Sequence, residues 1–273
     1  FPDCTDKFLT LVNKSENMFV ITTGNMPYHR VFEMQFNRIL IFDIFRCRFH
    51  QQRIACFHFV QNIGTLIKIE SSYREFVEEI ELFRFKTVEK FGGIDIVVNN
   101  AGQSAAGSFE TVSDDDWEAD MDLKFYAAIR MSRAAIPYMK QSGGGRIINV
   151  TNLGGKAPAA SSMPTSVSRA AGIALTKAMS KDLAADNILV NTVCIGLIKS
   201  GQHERRFKAL VESGENITLE SHYEQLGGNG RVPLGRVGEA EEAGDVITFL
   251  ASGPASFLTG CAINIDGGAS AVI

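Results

Sequence analysis

The stretch IDIVVNNAG, residues 94–102, sets the strongest limit on what this chain can fold into. It is an apolar run closed by Asn, Ala and Gly. Such a run reads as a strand buried on both faces, the condition of a strand in a parallel sheet. The same kind of run returns as RIINVTN (146–152), NILVNTVCIG (187–196) and CAINIDGG (261–268). Between these lie segments of helical period. TVSDDDWEADM (111–121) carries acidic residues into a helix start, FYAAIRMSRAAIPYMK (125–140) continues it, and SGGG (142–145) ends it. SRAAGIALTKAMSKDLAA (168–185) and EAEEAGDVITFLAS (239–252) are the next two helices. Strands alternating with long helices imply βαβ units and an α/β, doubly wound parallel sheet of Rossmann-like type, layered α/β/α. Ligands of such sheets bind beyond the carboxyl ends of the strands, so the residues just after each strand carry the functional information.

The chain has 273 residues, enough for one α/β domain over 1–273. A net charge of −4 without a Lys/Arg run argues against nucleic acid or an anionic membrane as partner. No apolar run approaches the roughly 18 residues of a membrane span, and no signal peptide is visible. The five cysteines form no CxxC pair, so reduced thiols in the cytoplasm are expected, without a disulfide framework or metal site. Composition breaks near residue 91. Residues 1–91 hold 14 of the 19 Phe, 2 of the 25 Gly and one alanine, Ala55. Either the first third is a different kind of structure, or its letters are not the biological sequence there. One alanine in a region due to form two βα units favours the second reading. Tryptic peptides spanning residues 14–46 separate the two by mass.

The strand ends resemble those of the short-chain dehydrogenase/reductase family. NNAG (99–102) matches its fourth-strand motif, and GGGRIINVTNLGG its fifth strand with the following turn. ILVNTVCIG is similar to the sixth strand, and VPLGRVGEAEEAGDVITFLASGPASFLTGCAINIDGG (232–268) to the C-terminal segment. The resemblance covers residues 92–273. By position it places the first strand at 19–24, the second at 37–45, the third at 65–73 and a helix at 74–93. It implies an oxidoreductase that moves a hydride between NAD or NADP and a small carbonyl or alcohol. It also implies a homodimer or homotetramer built on helices 113–140 and 166–185 and the last strand. The Ala170, Ala171, Ala174 and Ala178 face suits close helix packing.

For the cofactor, the resemblance implies contacts from Gly24, Glu70, Asn99, Ala101, Gly102, Val150, Arg169, Ile195, Gly196 and Ile198. The phosphate-binding turn departs from the family: after Gly24, Tyr28 and His29-Arg30 stand where two further glycines let the backbone approach a pyrophosphate. Asp43, Arg46 and Arg48 share the window that selects NAD or NADP, which leaves that choice open.

The family's catalytic serine, tyrosine, lysine and asparagine fall at Asn152, Thr165, Arg169 and Lys124. All four have changed type. Asn152 still offers an amide donor, and Arg169 still offers donors to a ribose, but a guanidinium relays no proton. Thr165 cannot replace the tyrosine as an acid, because a cation cannot bring an aliphatic hydroxyl's pKa near neutrality and its shorter side chain falls short of the reacting atom. Lys124 supplies a proton only if burial lowers its pKa; otherwise it ion-pairs, with Asp122 for example, or reaches solvent. Thr165 or Ser166 is expected to cap the helix. Residues 200–231 stand where the family has its substrate lid, broken at Gly214 and at 227–230. There His203, His222 and Tyr223 either reach a substrate or, as the plainer reading has it, form solvated surface. Two functions follow: an oxidoreductase with an altered proton-transfer arrangement, or a pseudoenzyme that binds a nucleotide or serves in an assembly.

Overall fold

A computed structural model of the chain describes residues 87–89 and 91–273, together with the backbone of three earlier strands: β1 (Phe8–Asn13), β2 (Met18–Thr23) and β3 (Ile54–Phe57). Beyond these come β4 (Ile96–Asn99), α1 (Asp114–Met121), α2 (Ala127–Gln141), β5 (Gly145–Asn152), α3 (Thr165–Asp182) and β6 (Ile188–Ile195). The chain closes with α4 (Gly201–Glu212), α5 (Leu219–Gly227), α6 (Ala240–Ala251) and β7 (Ala262–Ile265). Five strands form one parallel sheet in the order β3-β4-β5-β6-β7. The alternation of strand and helix read from the sequence therefore produces the Rossmann-like sheet it implied.

Successive side chains of a strand point to opposite faces, and the core divides accordingly. Val97, Ile147, Ile188 and Val190 face Met131, Ala135 and Met139 of α2. Ile96, Val98, Ile148, Val150 and Val193 face Ile247, Leu250 and Ala251 of α6. Both faces are buried, so the strands are mainly apolar on both sides. Each fully buried Ile, Leu or Val contributes about 1.5–3 kcal/mol, which fixes the strand ends as a rigid platform.

Helix α1 starts at Ser113, whose hydroxyl accepts the Asp116 N–H while the Asp116 carboxylate accepts the Ser113 N–H, each at 3.2 Å. Asp114, Asp115 and Asp116 place negative charge at the positive end of the helix. A five-residue π turn, Asp122–Tyr126, joins α1 to α2 without a break. Such a turn is a frequent companion of functional sites, and it carries Lys124 into the interior.

Three expectations are corrected. The strand expected at 19–24 exists as β2, but it pairs antiparallel with β1 in a separate two-stranded sheet. Only four residues join β1 and β2, whereas parallel pairing needs a crossover of a dozen or more. The sheet position beside β4 belongs instead to β3, with Ile54 opposite Ile96. The helix expected at 168–185 starts at Thr165, so the tyrosine and lysine positions, Thr165 and Arg169, both lie in its first turns. Finally, neither Thr165 nor Ser166 caps it; Pro164 holds the cap position without a side-chain bond. A capping side chain must precede the helix, and these two are already inside it. Residues 37–45 and 65–73 lie outside the described residues, as do Gly24, Tyr28, His29, Arg30, Asp43, Arg46, Arg48 and Glu70; of the helix expected at 74–93, residues 87–89 and 91 are helical. No described helix is long and apolar enough to cross a membrane.

Candidate active site

The site lies at the carboxyl ends of β4, β5 and β6, which end at Asn99, Asn152 and Ile195; Asn99 stands opposite Asn149, and Asn152 opposite Ile195. The Asn99 amide is turned inward. It donates to Asn149 Oδ1 at 2.8 Å and to Ser132 Oγ at 3.4 Å. Asn149 passes the chain on to Thr176 Oγ1 at 2.8 Å. A half-buried polar end is thereby satisfied, and the NNAG turn is fixed in place.

Behind that turn lies a buried charged cluster. Lys124 Nζ donates to Asp120 Oδ1 one helical turn earlier; both side chains are 1 % exposed. It also donates to Thr165 Oγ1 at 3.1 Å. Ser168 Oγ donates to Asp120 Oδ2 at 2.6 Å, and the Ala105 N–H reaches Thr165 Oγ1 at 2.9 Å. Burial pushes the Lys124 ammonium down to about 8, with the charge of Arg169 adding to the effect and Asp120 opposing it. Lys124 therefore meets the condition that would let it donate a proton. The ion pair with Asp122 is corrected: Asp122 binds Arg130 at 3.1 Å and stays half exposed, while Lys124 turns inward to Asp120. Residues four apart share a helix face, and here the shared face is the buried one.

Arg169 comes from the second turn of α3. Its Nη1 donates to the Val150 carbonyl at 2.6 Å, and its guanidinium fills the space beside Gly102. A Cβ on residue 102 would collide with it, lying 3.2 Å from Arg169 Cζ. Burial lowers the guanidinium to about 10, with Asp120 opposing, so it is charged at neutral pH. Arg169 Nε is buried without a hydrogen-bond partner, and so is Asn152 Oδ1. One orphaned donor and one orphaned acceptor fit a polar ligand that offers both functions, as the ribose and carboxamide of a nicotinamide nucleotide do. The structure thus gathers Lys124, Thr165 and Arg169 into one cluster around Asp120, with Asn152 near α3 through Gly154, whose Cβ position lies 3.2 Å from Asn152 Oδ1 and 3.7 Å from Ser166 Cβ. Ala101 is half-buried in the NNAG turn. Gly196 N–H is bound to Ile265 O at 2.9 Å, and Ile198 is buried beside Gly238.

Asp120 and Ser168 are absent from the expected set. The signal for Asp120 was its spacing to Lys124; Ser168, inside a helix of small residues, gave none. Residues 200–231 form the expected two pieces, α4 and α5, with Gly214 at φ +100 between them. Their aromatic residues are not solvated surface. His222 is buried, its ring centroid 5.9 Å from Phe207 and 6.0 Å from Tyr223, and His203 stands edge-on to Tyr223 at 6.4 Å. Burial, Arg206 and His222 lower the His203 pKa. Gln202 Oε1 accepts the Ser104 N–H at 3.2 Å, one residue from the Ala105 N–H that holds Thr165. The loop after β4 thus touches α4 and the charged cluster at once.

The family model described as Enoyl-(Acyl carrier protein) reductase matches residues 76–270. A 3-oxoacyl-(acyl-carrier-protein) reductase of Thermotoga maritima is 34% identical over 183 residues, covering 67% of this chain and 69% of that protein. Among solved structures, L-sorbose reductase of Gluconobacter frateurii, complexed with NADPH and L-sorbose, superposes with a TM-score of 0.69 at 27% identity, over 72% of this chain and 74% of that one. An NADPH-bound short chain oxidoreductase of Pseudomonas aeruginosa PAO1, containing an atypical catalytic center, superposes with a TM-score of 0.66 at 32% identity over the same shares. With the parallel sheet, the NNAG turn and the site at the strand ends, these likenesses settle descent: the chain belongs to the short-chain dehydrogenase/reductase family of oxidoreductases.

Proposed function

We propose that the protein reduces a small polar carbonyl compound with NADPH, and that Lys124 supplies the proton a tyrosine supplies elsewhere in the family. The observation that carries this is the buried Lys124 ammonium, 3.1 Å from the hydroxyl at the tyrosine position, with its pKa pushed down to about 8. An acid with a pKa near the working pH is best placed to give up a proton. NADPH is favoured by its presence in the sorbose reductase and in the Pseudomonas oxidoreductase with an atypical catalytic center. The bound nicotinamide supplies the hydride. Arg169 and Gly102 would hold its ribose side, and Asn152, Val150, Ile195, Gly196 and Ile198 its ring side. The lid over 200–231 offers few apolar side chains, which favours a small polar substrate over a large apolar one.

A homodimer or homotetramer in the cytoplasm, built on α1–α2, α3 and β7, completes the reading. Calorimetric titration with NADPH and NADH, followed by turnover on a panel of aldehydes, ketones and alcohols, tests it. Tight NADPH binding with turnover is expected. Failure of both nucleotides to bind removes the reading. Binding without turnover moves the protein to the pseudoenzyme alternative.

A further inference from the structure

Within the charged cluster, the Thr165 hydroxyl has its hydrogen-bonding sites unevenly filled. A hydroxyl has two acceptor sites and one proton to donate. Both acceptor sites are taken, by the Ala105 N–H at 2.9 Å and the Lys124 ammonium at 3.1 Å. The proton itself has only Asp120 Oδ1, at 3.4 Å. That is well beyond the 2.5–3.0 Å of a good O–H···O bond. The same carboxylate oxygen is already engaged by Lys124, and Ser168 holds the other oxygen at 2.6 Å. Thr165 is buried, so bulk water does not make up the difference. Its weak bond to Asp120 costs little to give up when a better acceptor arrives.

We infer that Thr165 is a proton relay, passing its own proton toward the substrate oxygen while taking one from Lys124. The inference rests on the reading of Lys124 as the proton source. It removes the objection that an aliphatic hydroxyl is no acid, since the hydroxyl ends the step as it began. The balance is direct. As the carbonyl carbon takes a hydride from a reduced nicotinamide nucleotide, the C–O π pair moves onto oxygen. That oxygen takes a proton from one water that bridges the shorter reach of threonine, and the water receives the Thr165 hydroxyl proton in its place. Thr165 Oγ1 in turn takes a proton from Lys124 Nζ. The products are an alcohol, an intact threonine, a neutral lysine amine still beside Asp120, and the oxidised nucleotide. Asp120 and Ser168 are positioning residues: they hold the ammonium against Thr165.

Three variants test the relay, with turnover, NADPH affinity and the Lys124 titration as readouts. Thr165→Val, nearly the same shape, is expected to lower kcat by about 10²–10⁴-fold, the range for losing a proton-transfer group, with NADPH affinity unchanged. Thr165→Ser is expected to return most of that loss, because it restores the hydroxyl. On the ligand-free protein, side-chain nitrogen NMR of Lys124 is expected to show a lower pKa in Thr165→Val than in the native chain, since the ammonium loses an acceptor. A Thr165→Val protein as fast as native overturns the relay while leaving Lys124 as a direct donor. An unmoved Lys124 titration removes the hydrogen bond the relay needs. A Lys124→Met protein as fast as native takes down both the relay and the reading it rests on.

Discussion

Replacing Asp120 by Asn tests the electrostatics of the site most sharply. The carboxylate accepts a charge-assisted hydrogen bond from Lys124 and stabilises the ammonium against burial. A hydrogen bond to a charged group is worth about 1.5–3 kcal/mol, and about 1.4 kcal/mol corresponds to one pH unit. Without the carboxylate, burial and the nearby Arg169 act unopposed, so the Lys124 pKa falls from about 8 by roughly 1–2 further units. With the Lys124 ammonium as the proposed donor in carbonyl reduction, the rate is full below its pKa and is lost as pH rises through it. The native kcat profile is therefore expected to fall through about pH 8, and the Asp120→Asn profile about 1–2 units lower. Alcohol oxidation uses the neutral amine and is expected to show the mirror-image profile. The assay is NADPH oxidation followed by absorbance across the pH range at saturating substrate. A descending limb at the same pH in both proteins would refute the argument, because no carboxylate would then be setting the proton donor.

Two further outcomes follow from the same geometry. The Lys124 pKa lies at about 8 in the fold against 10.5 for the free side chain, so between those values the unfolded chain binds more protons and stability rises with pH. The deficit at neutral pH is about 3 kcal/mol at about 1.4 kcal/mol per pH unit; urea unfolding at neutral and alkaline pH is expected to show this rise in the native chain and not in Asp120→Asn/Lys124→Met. Gly102→Ala drives a methyl group into the Arg169 guanidinium, whose Cζ would be 3.2 Å away. It is expected to cost about 1–3 kcal/mol in unfolding free energy and to weaken NADPH binding measured by calorimetry.

Much of this site was legible in the sequence because family spacing fixes it. The NNAG turn, Asn152, Thr165, Arg169 and Lys124 all fall at strand ends or in the helices beside them. Asp120 was hidden by helix phase. With one helix ending at Met121 and another starting at Phe125, Asp122 looked like the closer partner for Lys124. The π turn over Asp122–Tyr126 keeps the helix continuous and sets Asp120 beneath the lysine. Ser168 was hidden because a serine among small helical residues carries no pattern; only the fold of α3 against α1 shows its target. Residues 200–231 misled for another reason. Their polar composition reads as solvated, yet packing α4 against α5 brings His203, Phe207, His222 and Tyr223 together from positions too far apart in sequence to form a pattern. At β1 and β2 the short connection outweighed family position, and pairing became antiparallel.

The measurement that bears most directly on the account is the single-turnover rate of carbonyl reduction by Lys124→Met at neutral pH, beside a calorimetric NADPH titration of the same protein. With Lys124 as the proton source, the rate falls by about 10²–10⁴-fold while the NADPH affinity stays that of the native chain. A Lys124→Met protein that binds NADPH and reduces the substrate at the native rate would contradict it.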